Sequence, residues 1–465
     1  MLIAIYSIYM PRGPLIDLEK IILGLQELLA KGPLKASDAF SHLGISQSSF
    51  SKASARFPND IVVIGHARKT TYALKRNIPD AGDNLTIYTI DESGKASQFG
   101  RLHAIYPKGF YFEPADTNGR SGRFFEDLPY FIDDLRPKGF LGRLIPRTHP
   151  ELSLPNNIKD WSADDAIRYL TQYGCDLIGN LILGDTAFNL YLKQYIGERK
   201  YVRREEREIE YPKLAINILQ FGDPGSSAGG EQPKFPAVVG PEMKPVLVKF
   251  SPKVESAVGQ RRADLLICEH TGLKVLKRYG RSTTVSTIIH GDDQVFLETE
   301  RFDRIGERGR KGLISLEALS AEYVGKTGNW TDISKELLVQ KIISKEAYEA
   351  VRWHEMFGQL IANTDMHLAN ISFYFSAEKI LGLAPAYDML PMLYAPQNEQ
   401  LTQQIFTSPM PKPSNFDIWN DVWMAGKDFW TEVSNNSTIS DGFRKIAQAN
   451  LEKVQALEGL QNLLP

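Results

Sequence analysis

Four short segments, in one order along the chain, hold the residue types that phosphoryl transfer requires. They are Ser227-Ala-Gly-Gly-Glu-Gln-Pro-Lys234, Val246-Leu-Val-Lys249-Phe250, Asn363-Thr-Asp365-Met-His-Leu-Ala-Asn370 and Ala386-Tyr-Asp388-Met389. A glycine-rich turn can cover phosphates with its N–H groups, and a strand lysine can meet their charge. An Asp-x4-Asn loop with a later Asp can orient a hydroxyl and hold Mg²⁺. Each segment alone has an ordinary explanation, because Gly, Ser, Asp and Asn all serve as turn formers. Their order and spacing single them out.

The elements around the loop must bring its ends together. Trp353, Phe357, Leu360 and Ile361 share one face of a helix that ends near Asn363. Ile371-Ser-Phe-Tyr-Phe375 and Lys379-Ile-Leu-Gly-Leu383 then read as two strands around a turn at Ser376-Ala-Glu378. Paired strands lie about 4.8 Å apart, so the residue before the first and those after the second return to the same end. Asn370 and Asp388 are drawn together in this way, an amide oxygen beside a carboxylate, as Mg²⁺ prefers. Asp365, five residues before Asn370, is placed to orient or deprotonate an attacking hydroxyl. His367 could serve as a ligand, but a lone histidine is more often hydrogen-bonded scaffold.

Lys249 sits on a nearly continuous apolar strand, Pro245-Val-Leu-Val-Lys249-Phe250. Burying an ammonium without an anion is costly, so this lysine either snorkels or meets one, and phosphate would serve. The segment Gly225 to Lys234 ends fifteen residues earlier and adds a second lysine. It is not a Walker A loop: Gly225 and Gly230 have the spacing, but Glu231 stands where lysine is required.

Ahead of these segments, Leu18, Ile21, Ile22, Leu25, Leu28 and Leu29 follow helical spacing. A second helix fits Ala36 to Leu43, Gly44 permits a turn, and Ser46 can cap a third helix running to about Arg56. Ile61–Ile64 and Thr70–Leu74 read as strands around Gly65-His-Ala-Arg-Lys69. Three helices and a hairpin make a winged helix-turn-helix, with a helical protein-interaction module as the alternative. Residues 46–76 hold Lys52, Arg56, Arg68, Lys69, Lys75 and Arg76 against Asp60 alone, a local charge of +5. That favours phosphate contact over a merely solvated face. Gln47, Ser48 and Ser49 could reach base edges, with Lys52, Arg56, Arg68 and Lys69 on phosphates of double-stranded DNA.

The chain's 465 residues exceed one ordinary core and suggest about three domains. A net charge of -2 excludes a polycation that clings to nucleic acid throughout, so any DNA site is local. Cys175 and Cys268 lie far apart without a CxxC, which excludes a disulfide framework or cysteine zinc site and suits a reducing cytoplasm. Residues 1–10 are apolar but lack a basic leader and amount to about half a membrane span. A mis-assigned start with Met10 as the natural one fits better than a signal peptide. No run reaches 18 apolar residues, and no membrane partner is expected. The expected layout is an unstructured 1–16, a winged helix at 17–76, a linker at 77–84 and a small β-rich domain at 85–150. A catalytic domain then fills 151–465, with lobes at about 151–305 and 306–465. Arg199 to Arg207 reads as a solvated helix face.

Taken together, Ser227-x-x-Gly230-x-Gln232-x-Lys234, Glu300-Arg-Phe-Asp-Arg304, Asn363-Thr-Asp-x-His-Leu-x-Asn370 and Tyr387-Asp388 resemble the motif set of HipA-type serine/threonine kinases. The resemblance covers roughly residues 150–400, and residues 85–150 resemble the family's small N-terminal β domain. It implies an α+β multidomain protein with a protein-kinase-like (HipA-type) two-lobed fold and, here, an N-terminal winged helix-turn-helix. ATP and Mg²⁺ are the implied cofactors. Asp365 would be the catalytic base, Asn370 and Asp388 would hold Mg²⁺, and Lys249 would contact ATP phosphates. Ser227, Ala228, Gly229, Gly230, Gln232 and Lys234 would form the loop over ATP, with backbone groups at Glu300 and Phe302 on the adenine. Ser227 matches the serine whose autophosphorylation ejects the loop and silences the kinase. Family members are toxins that phosphorylate proteins of translation, notably aminoacyl-tRNA synthetases, and arrest growth. Most rely on a separate DNA-binding antitoxin, whereas this chain carries its own basic helical module. A second departure is Ile314-Ser-Leu-Glu-Ala-Leu319, which lacks the His/Gln-x-Glu-Asp pattern expected there. Asp264 and Glu269 are both candidates to pair Lys249. Two other readings stand beside the kinase: a DNA-binding regulator whose kinase-like half senses nucleotide or a partner, and a small-molecule kinase on a related fold.

Overall fold

Ile21, Leu25 and Leu29 recur at helical spacing and bury one face of α1 (Leu18–Leu29). That face meets Ala39 of α2 (Ala36–His42) and Phe50 of α3 (Gln47–Ser54) in one cluster with Phe57 and Ile61. Ser46 caps α3, its Oγ accepting the Ser49 N–H at 3.2 Å. Gly44, at φ +62°, makes the turn before it. Strands β1 (Leu34–Lys35), β2 (Ile61–Ile64) and β3 (Thr71–Leu74) form an antiparallel sheet in the order β1-β3-β2. At two residues, β1 is too short for any periodicity to announce.

The structure, a computed structural model, describes residues 18–65, 70–115, 122–194, 196, 200–221, 232–376 and 379–460. It divides into two compact units, Met1–Ile87 with Gln98–Pro129, and Tyr88–Ser97 with Tyr130–Pro465. The chain then runs into the strands of a separate sheet, β4 (Asn84–Ile90), β5 (Ala96–Ala104), β6 (Phe110–Pro114) and β7 (Arg123–Phe125). Val62 and Ala73 share a buried cluster with Ile105 and Tyr111. The Arg76 N–H donates to Ala104 and the Tyr106 N–H to Leu74. Residues 77–84 are not a free linker: Ile78 is fully buried and bridges to Gly82.

The second unit begins with α4 (Tyr130–Asp133), α5 (Gly139–Thr148), α6 (Ala163–Tyr173), β8 (Leu181–Leu183) and α7 (Asp185–Lys193). Its main sheet runs β12-β13-β11-β10-β9, built from β9 (Val202–Arg203), β10 (Lys234–Gly240), β11 (Lys244–Phe250), β12 (Ser286–Gly291) and β13 (Gln294–Glu300). Val246, Val248 and Phe250 alternate along β11 and pack with Tyr211 of α8 (Arg207–Leu219). Lys249, between them, points to the other face, where α9 (Ala257–Arg278) lies.

Beyond this sheet come β14 (Arg304–Ile305), β15 (Gly309–Arg310), β16 (Gly312–Ser315), α10 (Leu316–Tyr323), α11 (Trp330–Val339) and α12 (Lys345–Leu360). The hairpin β17 (Ser372–Ser376) and β18 (Lys379–Leu383) follows, then α13 (Phe416–Asn435) and α14 (Asp441–Gln455). Trp353, Phe357 and Leu360 of α12 are buried, and Trp353 Nε1 donates to Asp421 Oδ2 of α13 at 2.7 Å. Ser315 explains the departing segment before α10. Its Oγ donates to Asp134 Oδ1 at 2.6 Å and also accepts the Ala318 N–H at the head of α10. Among the described residues no helix is long and apolar enough to cross a membrane.

Candidate active site

The centre of the site is a lysine held by two carboxylates. Lys249 Nζ reaches both oxygens of Glu269, at 2.7 and 2.8 Å, and also bonds Asp388 Oδ1. Glu269 is 1% exposed and Lys249 6% exposed, so the pair is withdrawn from water. Burial opposes the ammonium charge, but Asp388 and Glu269 outweigh it and hold Lys249 above its ordinary range. Burial also pushes Glu269 up, while at Asp388 the charges of Lys249 and Lys234 overcome burial and hold it down. Glu269, not Asp264, is therefore the partner. Asp264 instead accepts the Ser440 hydroxyl at 2.6 Å and its N–H at 2.9 Å.

The hairpin closes the two polar loops as its spacing predicts. Ser372 to Ser376 pairs antiparallel with Lys379 to Leu383, with a register shift at Tyr374/Phe375; Ala377 and Glu378 of the turn lie outside the described residues. Half-buried Tyr387 spans the base of the hairpin, its hydroxyl 2.8 Å from Ser372 Oγ and 3.2 Å from the Ala369 carbonyl. Asn370 Nδ2 donates to the Asp365 carbonyl at 2.8 Å, so the amide oxygen is the end that could ligate a metal. Burial raises the Asp365 carboxyl above its ordinary value, as does the nearby charge of Asp388, against the opposing pull of His367. The His367 ring is exposed and lies 3.8 Å from Asp365 Oδ1; its scaffold role falls to its carbonyl, which accepts Trp330 Nε1 at 3.0 Å.

Lys234 pairs with Lys249 across β10 and β11, and its charge is felt at Asp365 and Asp388. Gln232 donates to the Phe250 carbonyl, tying the chain before β10 to the end of β11. At the end of β13, the Glu300 N–H already donates to Val285 at 2.9 Å, so adenine could use only its carbonyl, which also accepts Thr284 Oγ1 at 2.7 Å. Phe302 stacks on Tyr387 with ring centroids 5.9 Å apart. Ser227, Ala228, Gly229 and Gly230 lie outside the described residues, as do Arg68 and Lys69.

On α3, Gln47, Ser48, Lys52 and Arg56 just beyond its end are exposed. Ser49 is half-buried, and the Ser48 and Ser49 hydroxyls lie 2.9 and 3.0 Å from Ser46 Oγ, committed in part to the cap. Arg76, counted in the local charge, is locked in place, with Nε on the Ile105 carbonyl at 3.0 Å and its guanidinium over Phe110.

Residues 81–192 match the family model "YjjJ-like toxin, middle domain", and residues 226–455 match "HipA-like C-terminal domain". Toxin YjjJ of Escherichia coli (strain K12) is 34% identical over 446 residues, covering 93% of this chain and 98% of the relative. The chain belongs to the family of YjjJ- and HipA-like toxins. Two solved structures are distant resemblances. One is the Shewanella oneidensis MR-1 complex of HipA, HipB and operator DNA, with TM-score 0.49, 16% identity, and 80% of this chain and 96% of that chain covered. The other is the Helicobacter pylori proinflammatory kinase CtkA, with TM-score 0.36, 12% identity, and 48% and 90% covered.

In this HipA-like toxin the donor set suits Mg²⁺ shared with phosphate. Three carboxylates, Glu269, Asp365 and Asp388, face two ammoniums, Lys249 and Lys234, which leaves a surplus of negative charge. Among the described residues no three His, Cys, Asp or Glu side chains gather into a self-sufficient metal cluster. A carboxylate and an amide oxygen completed by phosphate oxygens is the arrangement in which Mg²⁺ commonly serves. Trp330 is the site residue that no motif supplied; Asn363 and Tyr387 stood in the motifs without a role, and Glu269 was one of two acidic candidates within its helix.

Proposed function

We propose that this chain is an ATP- and Mg²⁺-dependent protein serine/threonine kinase of HipA type, acting as a growth-arresting toxin on a protein of translation such as an aminoacyl-tRNA synthetase. The observation that carries the reading is Lys249 clamped between Glu269 and Asp388, with Asp365 raised above its usual range beside them. Asp388 and Asn370 would hold Mg²⁺, which would supply neutralisation of the charge developing on the phosphates. Lys249, anchored by Glu269, would take the phosphate charge on moving from Asp388. Lys234 lies on the same face to do likewise. Asp365 would accept the proton of the acceptor hydroxyl, and a raised pKa suits a base that must release it again. Gln232 and Lys234 root the loop that would cover ATP, and Ser227 on that loop would be its autophosphorylation site.

The module of residues 17–76 supports a second activity, binding of double-stranded DNA through Gln47, Ser48, Lys52 and Arg56, with Arg68 and Lys69 adding phosphate contacts. An antitoxin partner belongs to the same proposal. Incubation with labelled ATP and Mg²⁺ tests the kinase reading: phosphate is expected on Ser227 or on an added protein. A purely regulatory protein would incorporate none, and a small-molecule kinase would turn over ATP without forming a phosphoprotein.

A further inference from the structure

Asn363 is 4% exposed, yet neither end of its amide is spent within its own helix turn. Its Nδ2 donates to the Asp388 carbonyl at 3.2 Å, and its Oδ1 accepts the Asp365 N–H at 3.0 Å. Asp365 and Asp388 stand on two loops separated by the whole hairpin, and this one side chain fastens both.

Its own placement is fixed from behind. The Asn363 N–H donates to the Gly358 carbonyl at 2.8 Å at the end of α12, and Ala362 before it takes φ +60°. The Ala362 carbonyl accepts the Leu393 N–H at 3.1 Å, from the stretch after Asp388. At Gly358 a Cβ would lie 2.3 Å from Met366 Sδ, so glycine lets the Met366 side chain of the loop pack directly against the helix. The amide is therefore presented rigidly to two backbone atoms, one beside the base and one beside the metal ligand.

Resting on the kinase reading, we infer that Asn363 is a positioning residue that sets the separation of Asp365 from Asp388, and so couples metal seating to hydroxyl activation. A buried carboxamide is suited to this because it offers a donor and an acceptor on one planar group without adding charge. Alanine would remove both bonds and let the two loops relax independently. Aspartate would keep the acceptor, lose the donor and add a charge, while glutamine would keep both functions on a longer arm.

The test uses the full chain with Asn363→Ala, Asn363→Gln and Asn363→Asp, compared in two readouts. The first is ATP turnover, separated into kcat and KM. The second is equilibrium Mn²⁺ binding in the presence of a non-hydrolysable ATP analogue, followed by paramagnetic resonance. Partners behind metal ligands typically contribute 10- to 100-fold. We expect Asn363→Ala to lower kcat by about that factor with KM for ATP within about twofold, and to weaken Mn²⁺ about tenfold. Asn363→Gln recovers part of both. Wild-type kcat and Mn²⁺ affinity in Asn363→Ala overturn the inference, as does a lower melting temperature with both parameters unchanged. Should Asn363→Ala fail to fold, near-isosteric Asn363→Asp is read instead, and a kcat equal to wild type overturns the inference. If the wild type binds Mn²⁺ with nucleotide but turns over no ATP, the kinase reading fails while the Mn²⁺ comparison still decides the role of Asn363.

Discussion

Two buried ion networks lie in the larger unit, and they settle their charge differently. Around Asp303, every strong group finds a fixed partner. Asp303 Oδ2 accepts Arg304 Nη1 at 2.7 Å, Arg301 Nη2 at 3.1 Å and the Gly179 N–H at 2.9 Å. Other guanidinium donors divide between the Asp176 carboxylate, 2.9 Å from Arg301 and 2.8 Å from Arg304, and backbone carbonyls, Arg301 to Leu177 at 2.9 Å and Arg310 to Cys175 at 2.8 Å. Around Lys249 the surplus is the reverse: carboxylates outnumber ammoniums, and the Asp388 N–H, donating to Glu269 Oε1 at 3.3 Å, offsets only part of the excess. A network completed by carbonyls is scaffold. One left with unspent negative charge has the electrostatics that the proposed cation and anionic ligand would need. The contrast is sharper because Arg301, Asp303 and Arg304 belong to the same short motif as Glu300 and Phe302, so a motif can be half framework.

The largest difference between the two networks is expected at Asp365, the proposed base. Asp365→Asn is expected to reduce phosphate incorporation by about 10³- to 10⁴-fold, measured as label on protein, with melting little changed. Arg304→Ala should do the opposite. Removing one partner of a buried network costs about 3–5 kcal/mol, seen as a lower denaturation midpoint, while the protein that remains folded keeps its turnover per molecule.

A third buried group sharpens the contrast. His354 is 3% exposed, its Nε2 has no hydrogen-bond partner among the described residues, and burial together with the charge of Arg281 pushes its pKa down to about 3. The unfolded chain takes up that proton near pH 6.5 while the folded one does not. Stability therefore falls as pH drops from about 6.5 towards 3, by on the order of 2 kcal/mol at pH 5. Denaturant titrations at pH 7 and 5 check this, and His354→Phe should flatten the dependence. The smallest effect belongs to the other unit. Lys52→Ala should weaken duplex binding modestly and reduce the slope of log K against log salt by about one. A salt-independent affinity would count against phosphate contact.

What the sequence revealed was local. The hairpin between Asn370 and Asp388 could be located because two β-rich runs and a short turn fix their own geometry. The Ser46 cap and the burial of Ile21, Leu25 and Leu29 are equally local consequences of spacing. Glu269 could not be chosen over Asp264, because both sit inside α9 and the choice depends on Ser440, 176 positions from Asp264. Arg76 counted as surface charge until Phe110 and Ile105 claimed it. Asn363 was invisible as a clasp, since its two partners become neighbours only after the hairpin has formed. The sheet order β12-β13-β11-β10-β9 likewise depends on packing against α8 and α9 rather than on chain order.

The most direct test of the central claim is incorporation of labelled phosphate from ATP and Mg²⁺ into protein, wild type against Asp365→Asn, in parallel. The account predicts a phosphoserine or phosphothreonine product with the wild type and almost none with the variant at equal folded concentration. Equal labelling in both, or a wild type that binds nucleotide yet never labels a protein, would contradict it.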